Sequence, residues 1–180
     1  MAVSYSRKSK DRPPIDGEAL EQAALFYAGR YATTRAKLRF YLVRKLKERG
    51  WAGEGKPPVE ALVERLAALG YVDDRAFAAA RGAALSRRGF GARRVGQALR
   101  AAGIEEEDAH EARGAAEAAA WEAALRFAER RRIGPFAAAE PDRPAREKAF
   151  AAMVRAGHPA DLVRRIVGAR PGEVPDADGA

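Results

Sequence analysis

No proline stands between Pro58 and Pro135, and through that stretch glycines punctuate runs of apolar residues at helical spacing. Gly50, Gly103 and Gly157 set the frame. Each closes such a run, with Leu46, Leu99 and Met153 four residues before and Trp51, Ile104 and His158 directly after. Glycine just past the last periodic residue is the favoured helix stop, because it enters the left-handed region without steric cost. A recurrence at roughly fifty residues belongs to helical repeat architectures. No stretch alternates apolar and polar residues as a half-buried strand would. The expectation is an all-α fold of tandem three-helix repeats, three units in all.

The first repeat is expected over 18–70. Leu20, Ala24 and Tyr27 share one side of its first helix. Thr33 or Thr34 caps the second, whose apolar face is Leu38, Tyr41, Leu42 and Leu46. Pro57-Pro58 opens the third, with Val59, Leu62, Val63, Leu66 and Leu69 before the stop at Gly70. The second repeat is expected over 71–114. Asp73 and Asp74 stand as N-caps, Gly89 and Gly91 bracket a break, and Val95, Ala98, Leu99 and Ala102 lead to Gly103. Its last helix starts at Glu105, where an acidic run suits the positive end of the helix dipole. The third repeat, over 115–169, has a long helix to Arg132, a linker GPFAAAEPDRP, a helix over 145–156 and one from Pro159. Residues 1–17 are expected as a disordered basic tail and 170–180 as a frayed one.

Charge is concentrated. The chain carries +8 overall, yet residues 30–49 hold eight basic residues against one acidic, and 81–103 hold six basic and none acidic. Residues 104–122 run the other way. Concentration on two helical segments points to a polyanionic or acidic partner rather than to solubility alone. On the first of these, with Leu42 placed at the core, Lys37, Phe40, Arg44 and Lys47 fall on the opposite side of the helix. A ring among cations suits bases, phosphates or a protein groove; alternatively, it is a solvated face with Phe40 tucked against a neighbouring repeat. Alanine supplies much of the apolar content, so close packing of small helices is expected.

Catalytic constellations find little support. The chain has no cysteine and two histidines. His110-Glu111 lacks the second histidine of a zinc-protease helix, and His158 falls at a core-side turn position. Asp73-Asp74 would suit a metal-dependent nuclease only with further ligands, and capping explains both residues. Neither GxxxxGK[ST] nor GxGxxG occurs, and no cofactor is expected. The first residues lack an apolar signal core and no run is long enough to cross a membrane, so a cytoplasmic protein without membrane contact is expected.

GYVDDRAFA at Gly70–Ala78 and RRGFGARRVGQALRAAGI at Arg87–Ile104 resemble phrases of the bacterial RecX family, modulators of the RecA recombinase. TTRAKLRFYLVRKLKERGW at Thr33–Trp51 resembles that family's first-repeat helix. The chain departs from the family pattern in the loop AGEGKPP, at Phe40 and Tyr41, and in the linker GPFAAAEPDRP. The resemblance implies an elongated, curved array of three-helix repeats. It implies a protein without catalysis that binds RecA filaments on DNA and restrains recombinase and coprotease activity in homologous recombination, DNA repair and the SOS response; a monomer is expected. The candidate contacts to RecA or to DNA phosphate are Arg35, Lys37, Arg39, Phe40, Arg44 and Lys47 on the first basic helix. On the second basic segment they are Arg87, Arg88, Arg93, Arg94 and Arg100. A rival reading is a stand-alone DNA-binding helix-turn-helix regulator, although Gln97 is the one amide side chain on either basic helix that suits base readout.

Overall fold

The structure, a computed structural model, describes residues 12–177. Among them the regular structure is helical: α1 (Gly17–Arg30), α2 (Arg35–Arg49), α3 (Val59–Ala68), α4 (Asp74–Arg87), α5 (Ala92–Ala101), α6 (Glu106–Ala118), α7 (Ala120–Arg131), α8 (Arg143–Arg155) and α9 (Ala160–Gly168). A short 3-10 turn over Gly134–Phe136 interrupts the expected linker. The all-helical expectation is met. Two compact units divide the chain, one ending at Phe77 and the other starting at Ala78, so the boundary falls inside α4.

In the first unit, α1, α2 and α3 pack on one another around Leu20, Leu38, Leu42, Leu62, Val63 and Leu66. Thr34 caps α2, its side-chain oxygen accepting from the Lys37 N–H at 3.1 Å. Asp73 caps α4 by accepting from the Ala76 N–H at 2.8 Å. Asp74, expected as a second cap on α4, is buried and accepts from the Arg35 N–H at 3.0 Å, so it serves the start of α2. The expected tail over 1–17 needs correction where it is described. Ile15 is buried, its N–H donates to the Gly50 carbonyl at 3.0 Å, and its own carbonyl accepts from Ala52 at 2.9 Å. An apolar side chain with both backbone groups paired is part of the core, whatever the polarity of its neighbours. Residues 1–11 of that tail lie outside the described residues.

In the second unit, α5 packs on α6 through Val95, Leu99, Ala109 and Ala112, all buried. Small side chains set the spacing: a Cβ placed on Gly82 of α4 would lie 3.4 Å from Val95 and 3.5 Å from Ala112. α7, α8 and α9 surround Phe127, Met153, Val163 and Ile166. The break between α6 and α7 falls at Ala119, not Gly114, which lies within α6. Nor is the end of the chain frayed as far as it is described. The Gly172 N–H donates to the Pro135 carbonyl at 2.8 Å, and Arg165 donates to the Asp176 and Ala177 carbonyls. Residues 178–180 lie outside the described residues.

Candidate functional site

Basic faces are the feature that the sequence singles out, and the structure sorts their members by what each already holds. On α2, Arg35 lies near Glu64 (3.5 Å) and Asp74 (3.9 Å), and Arg39 makes a two-point contact with Glu60 of α3 at 2.7 and 2.8 Å. Both guanidinium groups tie α2 to other parts of its own unit. Lys37 lies 4.4 Å from the centre of the Phe77 ring. Phe40, Arg44 and Lys47 face solvent, with Phe40 69% exposed and Arg44 3.7 Å from Glu48. A ring left this open costs apolar hydration with no packing in return, which fits a surface that meets something else.

Beside that face lie aromatic rings expected only as part of the apolar faces of α1 and α2. Tyr27 of α1 stacks on Tyr41 of α2, ring centres 4.2 Å apart and planes 14° from parallel. Arg44 and Lys45 approach the same Tyr41 ring at 5.9 and 5.6 Å. Partial burial beneath this stack pushes the Tyr41 phenol above its ordinary value, with Arg44 pulling it the other way. Phe26 is 62% exposed, and Arg30 lies 5.9 Å from its ring while donating to the Tyr31 hydroxyl at 3.2 Å. The sequence did hold a signal, three aromatic residues within six positions around Arg30. The helical spacing of Tyr27 reads as core, and the ring does pack against the core while its stack with Tyr41 stays partly open.

The second basic segment is built around a turn of glycines. The Gly91 N–H donates to the Ala156 carbonyl at 2.9 Å, which seats the start of α5 on the end of α8. A Cβ on Gly91 would lie 2.3 Å from the Gly157 carbonyl oxygen, and one on Gly157 would lie 2.5 Å from the Arg94 nitrogen. Two backbones therefore touch here. Gly89 is equally confined, its Cβ position 2.8 Å from the Phe127 nitrogen. Arg93 donates to the Val154 carbonyl at 2.8 Å, placing its charge at the negative end of the α8 dipole. Arg88 lies 5.6 Å from the Phe90 ring, and its carbonyl accepts from Arg130 at 2.6 Å. Arg94 reaches Gln97 at 3.5 Å, a marginal hydrogen bond, and Arg87, Arg94 and Arg100 stand exposed.

The expected stops have the backbone that glycine allows: φ is 83° at Gly50, 73° at Gly103 and 97° at Gly157. The acidic run at the start of α6 meets an arginine of its own helix, in the Glu106–Arg113 ion pair. His158 is buried against Phe127, with Nε2 3.0 Å from the Gly89 carbonyl. Desolvation pushes it below the usual histidine range, and the Gly89 hydrogen bond offsets part of that shift. Among the described residues no group of three His, Asp or Glu side chains gathers as a metal site would require.

Fold and faces together define an all-helical protein that presents cations and open aromatic rings on a tightly packed frame. "Regulatory protein RecX" of Myxococcus xanthus (strain DK1622) is 31% identical to it over 177 residues, covering 91% of this chain and 95% of that one. The chain belongs to the RecX family of regulatory proteins. Two solved structures share the fold. The crystal structure of RecX from Lactobacillus salivarius has a TM-score of 0.61 at 16% identity, covering 84% of this chain and 94% of that one. A crystal structure of regulatory protein RecX has a TM-score of 0.58 at 22% identity, covering 84% and 73%. No family model matches the chain.

Proposed function

We propose that this chain is a non-enzymatic regulator that binds RecA filaments on DNA and restrains their recombinase and coprotease activity. In this reading it works in the cytoplasm as a monomer of three tandem three-helix units. Family membership supports the regulatory role. The observation that carries the rest is the division among the cations. Arg35, Arg39 and Arg93 hold the fold, whereas Phe40, Arg44, Lys47, Arg87, Arg94 and Arg100 face outward. In the first unit the proposed contacts for acidic protein and DNA phosphate are Phe40, Arg44 and Lys47, beside the aromatic rings of α1 and α2; in the second unit they are Arg87, Arg94 and Arg100.

Titration into a RecA strand-exchange or DNA-dependent ATPase reaction tests the reading, with an expected fall in rate at amounts comparable to filament sites. The double variant R94E/R100E is expected to retain helicity and lose inhibition. Unchanged RecA activity at several-fold excess of the unaltered chain would overturn the proposal.

A further inference from the structure

The segment 134–144 runs from the 3-10 turn into the start of α8, and the proposed function makes no use of it. It is anchored at its start. Ile133, Gly134 and Pro135 are buried, and a Cβ on Gly134 would lie 1.9 Å from the Ile166 carbonyl oxygen, so this backbone rests directly on α9. One residue earlier, Arg132 takes φ 54° and ψ 52°, alone among the described non-glycine residues in having a positive φ. Arginine therefore occupies a left-handed cap that favours glycine or asparagine. Strain retained at a residue that lines a cleft points to use.

The cleft lies between this turn and α8 and has a volume of about 250 Å³. Its deeper lining is apolar: Ile133, Ala149, Ala152 and Val167, each buried or half-buried. Four exposed cations complete it, Arg131 and Arg132 from the end of α7 and Arg146 and Lys148 from α8. Glu140 approaches Arg146 at 3.9 Å, an exposed contact that leaves the cleft strongly positive. The backbone donors at the start of α8 offer no phosphate cradle, since Asp142 already accepts from the Ala145 N–H at 2.8 Å. An apolar floor of this size takes one leucine- or phenylalanine-sized side chain. Guanidinium forks around it suit carboxylates on the flanking residues.

We propose that this cleft docks an acidic peptide segment of a protein partner, with one large apolar side chain inserted between Ile133 and Ala152 and carboxylates paired to the four cations. The site uses none of the outward cations of α2 and α5, and it stands whether or not those meet a RecA filament.

The test titrates the full chain with a short fluorescent aspartate-rich peptide carrying one central leucine, at low and moderate salt. Replacing that leucine with serine is expected to weaken binding about tenfold, the scale of a lost apolar side chain in a small pocket. Reversing the exposed cations in R146E/K148E is expected to abolish binding with helicity unchanged, whereas K56E/R81E, which reverses two exposed cations outside any proposed contact surface, binds as the unaltered chain does. Amide shifts on binding should cluster at residues 131–152. Equal affinity for the serine peptide, full competition by inorganic phosphate at matched charge, or undiminished binding by R146E/K148E would each overturn the proposal.

Discussion

At the scale of single residues, one tightly constrained position has no side chain. Gly91 has an ordinary φ of −77°, so strain is not the reason for glycine there; the Gly157 carbonyl is. Gly91→Ala should lower stability by about 1–3 kcal/mol, as overpacking against backbone does, read as a lower urea midpoint at unchanged m-value. His158 supplies a pH dependence. Nε2 donates to Gly89, which leaves Nδ1 as the bare nitrogen, buried with no hydrogen-bond partner. A proton added there would be a buried cation without an acceptor. Its folded pKa lies below the unfolded value of about 6.5, so the unfolded state binds the proton first. This contribution is complete above that unfolded value and is lost as pH falls through it toward the folded pKa. Denaturation midpoints between pH 7.5 and 5, on the order of the range where histidine titrates, should fall more steeply for the unaltered chain than for His158→Gln. Parallel profiles would remove His158 from the account.

At the scale of elements, two adjacent carboxylates do different jobs, which gives a clean comparison. Asp73→Ala removes one exposed cap and should cost about 0.5–2 kcal/mol. Asp74→Ala strips a buried acceptor from the start of α2 and should cost more, because the Arg35 N–H and guanidinium lose a desolvated partner. Equal losses in denaturant titrations would mean that Asp74 acts as a cap like its neighbour. Helices with glycine or proline at their ends were legible in the sequence: α2, α5 and α8 end beside Gly50, Gly103 and Gly157. The break at Ala119 was not, since alanine on both sides carries no stop signal. The expected repeat boundary at 114 falls inside α6, because packing through Ala109, Ala112 and Ala116 carries the helix past it. Asp142, which caps α8, hid inside a stretch read as linker.

For the whole molecule, fold class and the two basic segments were plain from residue spacing and charge. Which cations remain available was not, because ion pairs are set by tertiary distance. Arg39 and Glu60 are 21 positions apart in sequence, and Arg93 reaches Val154 across 61. This narrows a measurable quantity. If Lys47, Arg87, Arg94 and Arg100 each neutralise one phosphate, the log–log salt dependence of DNA affinity should have a slope of about −3 to −4. A slope near zero would leave protein contacts as the main attraction. The pairing of Ile15 with Gly50 and Ala52 has a practical consequence for trimming the chain. A version starting at Glu18 would discard Ile15 and both its hydrogen bonds, exposing Leu-rich core in the first unit, at a cost of about 2–5 kcal/mol. One starting at Arg12 keeps them, so a limiting protease that respects the folded state should leave its stable product with Ile15 still attached.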